Sequence, residues 1–354
     1  MADSTSESPD IGSINSGMRD FDSRTLFGER DLDLINALQI NPRASWALIG
    51  ASLGQDATTV ARRWQQLTAS GLAWMTAYAP DLATIGYLRV RCRPDTGTAL
   101  GERFCASPCV LSVECLSGRF DFLLTVAAAS TDALHDFATR WLPGLPGVEE
   151  VRSTVVVYSY FDGSHWRPMS LDPQQLAVLR DSDDHAPTSA RRRSGDVELV
   201  RALGADARRS AVELAEIVGV SDATVRRRIA EMTRSGWLLF RCDFARSVAG
   251  WPFAVNLRVR VPATRLDDLG TALADWPEVR LCTVTVDDEA NAMIIAWLRA
   301  PRDIVALEYR LLQRFSDITI IDRVFELASL KRVGRLLDPR TGVAIGHVPL
   351  DIYI

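Results

Sequence analysis

The sequence predicts an α+β chain in which one two-part unit occurs twice: a winged helix-turn-helix followed by a ferredoxin-like β-α-β-β-α-β domain. Three observations carry this. Residues 31–72 slide onto 196–237 without a gap and share 14 identities in 42 positions, where average composition gives roughly 3. Each copy reads as three short amphipathic helices with a Gly-containing turn and a following β segment. The stretches beyond repeat as well: Leu88-Arg-Val-Arg91 and Leu257-Arg-Val-Arg260 are identical, and Pro108/Pro277 and Val110/Val279 keep their spacing.

In chain order, residues 1–26 are rich in Ser, Asp and Gly and read as a disordered tail. The first helix-turn-helix unit spans 27–80. Leu32, Ile35 and Leu38 give its first helix, which Asn41-Pro42 closes. Ser45 caps a second helix, and Asp56 caps a third that ends at Ser70-Gly71. Trp74 to Tyr78 reads as the wing. The first ferredoxin-like domain spans 81–162, with strands 84–92, 110–117, 121–128 and 148–159 and helices 97–106 and 131–141. Such a sheet buries one face under its helices and needs a cover for the other. Val155, Val157, Leu123 and Leu88 are candidates for that apolar face. Residues 163–195 read as a linker, in which Arg191 to Arg193 either touch phosphate or simply keep the tether soluble. The second helix-turn-helix spans 196–245, the second sheet domain 246–330, and a semi-apolar extension 331–354 that can dock as an extra strand.

Composition bounds the rest. At 354 residues with 47% apolar content, the chain has room for several globular cores. It shows neither a membrane-length apolar run nor an export signal, so a cytoplasmic location without membrane contact is expected. The cysteines (92, 105, 109, 115, 242, 282) and the four scattered histidines lack metal-ligand spacing. Reduced thiols, no metal and no cofactor are expected. The net charge is −5, but between Arg191 and Arg241 eleven arginines face seven acids, and local charge governs nucleic-acid contact.

The stretch Ser221–Gly236 concentrates that charge. A capped helix with small polar residues first and arginines next has the form that lies in a DNA major groove. The candidate DNA-binding residues there are Ser221, Asp222, Thr224, Arg226, Arg227 and Arg228. In the first copy they are Asp56, Thr58, Thr59, Arg62 and Arg63. Arg43 and Arg208 precede the second helices and are expected at phosphate. Ala61 against Arg226 and Gln66 against Glu231 make the two readers unlike, which implies an asymmetric pair of half-sites.

Several stretches together resemble the leucine-responsive/asparagine regulator (Lrp/AsnC) family of transcription factors. They are Asp33-Leu-Ile-Asn-Ala-Leu-Gln, the helix 56–71, Leu116-Ser-Gly-Arg-Phe-Asp-Phe-Leu-Leu124, Leu142-Pro-Gly-Leu-Pro-Gly-Val148 and Arg152-Ser-Thr-Val-Val-Val157. The resemblance implies a regulator, not an enzyme, that binds double-stranded DNA. Its sheet domains would pair and sense a small effector, commonly an amino acid. Gly118, Arg119, Phe120 and Asp121 are the effector-binding candidates that it implies. The second copy has Val286-Asp-Asp-Glu in place of that turn. With both sheet domains on one chain, an internal pseudo-dimer that self-associates further is expected. Siroheme decarboxylases share this fold and are the enzymatic alternative, but their His-Arg segment has no histidine here at Tyr78-Ala-Pro-Asp-Leu-Ala or Cys242-Asp-Phe-Ala-Arg-Ser. An effector- or partner-binding protein with idle helix-turn-helices is the third reading.

Overall fold

The computed structural model describes residues 27–180 and 193–354; the predicted tail, with Arg191 and Arg192, lies outside them. In the first copy the elements are α1 (Glu29–Ile40), α2 (Trp46–Leu53), α3 (Ala57–Ala69), β1 (Ala73–Tyr78), β2 (Thr84–Cys92), α4 (Gly97–Ala106), β3 (Val110–Leu116), β4 (Phe122–Ala128), α5 (Thr131–Asp136) and β5 (Val148–Phe161). Helix α6 (Pro173–Arg180) follows. The second copy comprises α7 (Asp196–Ala205), α8 (Ala211–Val218), α9 (Asp222–Arg234), β6 (Leu239–Phe244), β7 (Phe253–Arg260), α10 (Leu266–Ala274), β8 (Val279–Val286), β9 (Ala292–Leu298), α11 (Asp303–Arg314) and β10 (Thr319–Arg332). Strands β11 (Arg335–Leu337) and β12 (Ala344–His347) close the chain.

The two helix-turn-helix units form one body. Leu34, Ile35, Leu38 and Leu67 of the first pack in the same buried cluster as Leu199, Leu203, Leu214 and Ile229 of the second. The predicted wing is not a wing. Strand β1 pairs antiparallel with β6 of the other copy, from Ala73↔Phe244 to Tyr78↔Leu239. Backbone groups that a lone wing strand would leave open are thereby satisfied across the repeat. Ser45 accepts from the Leu48 amide and Ser221 from the Thr224 amide, as caps should. Asp56 occupies its cap position without a side-chain bond.

The sheet domains do more than pair. Among the described residues, strands run in the hydrogen-bonded order β10-β3-β4-β2-β5-β8-β9-β7, and β7 pairs back onto β10. All these pairings are antiparallel, so the two sheets close into one barrel. Closure removes the sheet edges. Strand alternation then divides the side chains. Leu88, Val90, Leu124 and Val126 lie under α4 and α5, and Leu257, Val259 and Ile294 under α10 and α11. Tyr87, Leu116, Phe120, Leu123 and Met293 cluster inside the barrel. Of the four residues predicted for the apolar open face, only Leu123 points there. Leu88 and Val155 pack on the helix side, and Val157 is exposed. Register decides this, because a one-residue offset exchanges the faces.

The predicted linker is partly built into the fold. Trp166 and Leu179 are buried in the helix-turn-helix core. The Ser52 hydroxyl donates to the Gln175 carbonyl, and the Asn41 amide to that of Leu179. The C-terminal extension adds β11 and β12 beside β10 and bridges Ala128 through Tyr353. It also meets the end of α3, where the Ala344 amide donates to the Gly71 carbonyl. Gly71 and Gly236 hold the same repeat position at φ 69° and 73°. A Cβ on Gly71 would lie 2.1 Å from the Ala344 oxygen, whereas Gly236 has open space around it. No helix among the described residues is long and apolar enough to cross a membrane.

Candidate nucleic-acid interface and effector turn

Helices α3 and α9 carry the predicted readers, and the structure sorts them. On α3, Thr58, Thr59 and Arg62 are exposed. On α9, Ser221, Arg226 and Arg227 are exposed, with Asp222 and Thr224 half-buried beside them. Arg226 pairs with Asp222 one turn earlier at 2.8 Å, on the surface. Neither Arg62 nor Arg227 has a hydrogen bond or ion pair among the described residues, so each guanidinium keeps its full set of donors for a ligand.

Arg63 and Arg228 are corrected. Arg63 donates through Nε and Nη2 to the buried Asp31 carboxylate, each at 2.6 Å. That bond holds the Arg63 guanidinium above its ordinary pKa. Arg228 Nη1 lies 3.5 Å from the buried Asp196 and donates to the Ser194 carbonyl at 2.9 Å. Asp31 and Asp196 are repeat equivalents, and each also accepts a backbone amide, from Gly28 and Arg193. These arginines therefore tie the third helix to the first. The sequence held the signal, an acid and an arginine kept at identical spacing in both copies.

Arg43 and Arg208 are corrected likewise. Arg43 donates to the Ala207 and Arg209 carbonyls at 2.6 and 3.0 Å. Arg208 donates to those of Pro42 and Ala44 at 2.8 and 2.9 Å, and lies 3.9 Å from the Trp46 ring centroid. The two reach across the seam reciprocally. Burial lowers both, Arg208 to about 10. They hold the units together instead of facing phosphate. Arg193, at the end of the linker, pairs with Glu231.

The effector turn is also partly occupied by structural work. Gly118 takes φ 101° at an exposed corner, a conformation that favours glycine. The Asp121 carboxylate accepts from the Cys92 amide at 2.8 Å, so one of its oxygens serves the fold. Phe120 is buried, with the Arg89 guanidinium 4.9 Å and that of Arg119 5.4 Å from its ring centroid. Arg119 donates to both Glu150 oxygens at 2.9 Å, in the open. The turn docks on β10: the Ser117 amide donates to the Phe325 carbonyl, and the Phe325 amide to the Ser117 hydroxyl. In the second copy, Asp287 accepts the Glu289 and Ala290 amides, Arg258 and Thr154. The Asp287 carboxylate is thereby filled, while Asp288 and Glu289 of the same turn are exposed.

Sequence reasoning missed a charged cluster where the helix-turn-helix pair meets the barrel. Asp243 sits between Arg241 and Arg280, bonded to both. Its carboxyl is lowered to about 2 by Arg241 and then Arg280, against a larger opposing burial effect. Glu114 accepts from Ser329 at 2.9 Å, yet burial and then Glu326 push it up to about 8. The one available signal was a charge within an otherwise apolar strand, as in Val110-Leu-Ser-Val-Glu-Cys-Leu116. A carboxyl raised above its unfolded value of 4.5 binds its proton more tightly in the folded state. Its stabilisation is therefore complete below the unfolded pKa and lost as pH rises through about 8. The urea midpoint is expected to fall as pH rises from 4.5 to about 8, and to fall less in Glu114→Gln. Parallel pH profiles of the two chains would expose the idea as wrong.

Comparison with known proteins agrees with this layout. Residues 86–165 match the Lrp/AsnC ligand binding domain, and residues 29–68 and 195–233 each match the AsnC-type helix-turn-helix domain. An uncharacterised helix-turn-helix transcriptional regulator of Pyrococcus abyssi is 28% identical over 138 residues, covering 37% of this chain and 90% of that protein. Another, of Pyrococcus furiosus, is 27% identical over 143 residues, covering 38% and 93%. The siroheme decarboxylase NirDL, solved with an iron-uroporphyrin III analogue, aligns at a TM-score of 0.55 and 12% identity, over 86% of this chain and 93% of that one. At that identity the likeness is one of fold, and it runs through both copies.

Proposed function

We propose that this chain, a member of the Lrp/AsnC family, is a sequence-specific DNA-binding transcription regulator tuned by a small effector, with two unlike reading helices fixed on one body. The observation that carries the reading is the pair α3 and α9. Each is the third helix of its unit, each presents a polar first turn, and each keeps one exposed arginine, Arg62 or Arg227, without a hydrogen bond or ion pair among the described residues. The reading set is then Thr58, Thr59 and Arg62 in one copy and Ser221, Asp222, Thr224, Arg226 and Arg227 in the other. Because Ala61 stands where Arg226 does, the preferred operator is an asymmetric pair of half-sites. At the effector turn, Gly118 and Arg119 are the groups open to a ligand, while Phe120 and Asp121 hold the turn.

The test is binding to DNA upstream of the chain's own gene across a salt series. A specific complex whose affinity falls steeply with salt is expected, since each neutralised phosphate releases counterions. A footprint forming a perfect palindrome would remove the asymmetric reading. A second reading, an enzyme of the siroheme decarboxylase kind, is favoured by the whole-chain likeness of fold. Absence of DNA binding at low salt, with or without amino acids, would favour it.

A further inference from the structure

A cavity of about 280 Å³ lies at the helix-turn-helix end of the barrel, away from the effector turn. Its walls come from the barrel, from β1 and α7 of the helix-turn-helix pair, and from the C-terminal extension. The barrel supplies Leu123, Val156 and Ile295, the first helix of the second unit supplies Val200 and Gly204, and the C-terminal extension supplies Leu350. These walls are mainly apolar. The charged groups of the lining are Arg241, Arg280, Arg332, Glu114, Glu326 and Asp162, with Arg201 and Asp351 paired to each other.

Those charges do not cancel. Asp243 is engaged by Arg241 and Arg280. The Arg332 residue is only 6% exposed, yet its guanidinium has no hydrogen bond or ion pair among the described residues. Arg280 Nη1 is buried and also lacks an acceptor. Both guanidiniums lie by one ring, 3.8 Å from the Trp297 centroid for Arg280 and 5.5 Å for Arg332. The carboxyls opposite do not pair with them within 4 Å, and Glu114 Oε2 and Glu326 Oε1 are unpartnered too. Burial pushes both acids up, toward their neutral forms, and lowers Arg280 to about 9. Asp162 accepts from the Tyr78 and Ser164 hydroxyls. Against Asp243 and Asp162 stand the guanidiniums of Arg241, Arg280 and Arg332, so the cluster holds more buried cation than fixed anion, which is costly in a low-dielectric site.

We infer that this cavity is a binding site for a small carboxylate with an apolar body, its carboxylate taken by Arg332 and Arg280 and its body by the walls around Leu123 and Ile295. Arginine suits a planar carboxylate by its forked donors, and the volume is that of a small-molecule site. The cavity is continuous with α7, so a ligand here contacts the helix that supports the second reading unit. This goes beyond the regulator reading and does not depend on it, because the test uses no DNA.

The experiment is calorimetric titration of the full chain with phenylacetate, with phenylacetamide as the uncharged isostere. Phenylacetate is expected to bind, and the amide to bind at least about tenfold more weakly, a difference of about 1.4 kcal/mol. Two variants are titrated beside the wild type. Arg332→Gln removes the free guanidinium, and Ala127→Leu fills the cavity from its wall, Ala127 being a lining residue. Each should lower phenylacetate affinity at least about tenfold while circular dichroism shows the wild-type fold. Should one variant fail to fold, the other decides. No binding at millimolar phenylacetate, equal binding of the amide, or unchanged affinity in a folded variant would each overturn the assignment.

Discussion

Arg62→Ala with Arg227→Ala will weaken specific DNA binding at least about tenfold and leave the urea midpoint unchanged; an arginine bidentate to a guanine edge is worth about 1–3 kcal/mol. Both side chains are exposed and have neither a hydrogen bond nor an ion pair among the described residues, so their loss leaves the interior intact. If both meet phosphate, the salt slope drops by about 1 for each. The neighbouring pair behaves in the opposite way. Arg63→Ala and Arg228→Ala leave Asp31 and Asp196, only 3% and 4% exposed, without their guanidinium partners. An unsatisfied buried charged acceptor costs about 1–3 kcal/mol or more, so these variants lose stability first and DNA affinity only as the third helix loosens. Arg63 is itself 39% exposed, which places its cost at the low end. Equal loss of DNA affinity in the two pairs, with no difference in urea midpoint, would refute the division between reading and bracing arginines.

Asp243→Asn will cost about 3–5 kcal/mol of unfolding free energy, the range for removing one partner of a buried ion group. Asp243 is 1% exposed and answers two guanidiniums from different parts of the fold, Arg241 on β6 and Arg280 on β8. It therefore joins the helix-turn-helix pair to the barrel, and asparagine leaves both guanidiniums buried without an anion. The group's pKa is depressed, so its stabilisation is present above the unfolded value of 3.8 and lost as pH falls through about 2. The deficit of the variant should thus be constant from neutral pH to about pH 5 and shrink below about pH 4. Denaturant titrations at three pH values measure this, and a deficit below about 1 kcal/mol at neutral pH would contradict the ion group's place in the fold.

The first ferredoxin-like domain was almost entirely legible in the sequence. Strands at 84–92 and 148–159 and helices at 97–106 and 131–141 were readable because local periodicity and the Pro108 break specify them. The structure places β2 at Thr84–Cys92 and α4 at Gly97–Ala106, and extends the last strand to Phe161. What was not legible is what the copies do to each other. Nothing local in Trp74 to Tyr78 distinguishes a wing from a strand that pairs 165 residues away. Arg43 and Arg208 look like phosphate ligands until the opposite unit supplies carbonyls within 3.0 Å. The candidate site was legible by type and not by role. Arg62 and Arg63 are adjacent and chemically identical, and only the position of Asp31 separates them.

The closed ring of strands has a consequence for how the chain is made. The contacts between β10 and β3 join residues more than 200 positions apart, as in the bond from Ser329 to Glu114, 215 residues away. The first sheet domain leaves the ribosome with β3 and β5 unpaired on their outer sides, and it must wait for β8 and β10 to be synthesised. Such long-range closure is slow, and open strand edges invite pairing with other nascent chains. Having both halves on one polypeptide shortens that interval, because the complement arrives from the same ribosome at a high effective concentration and not by diffusion.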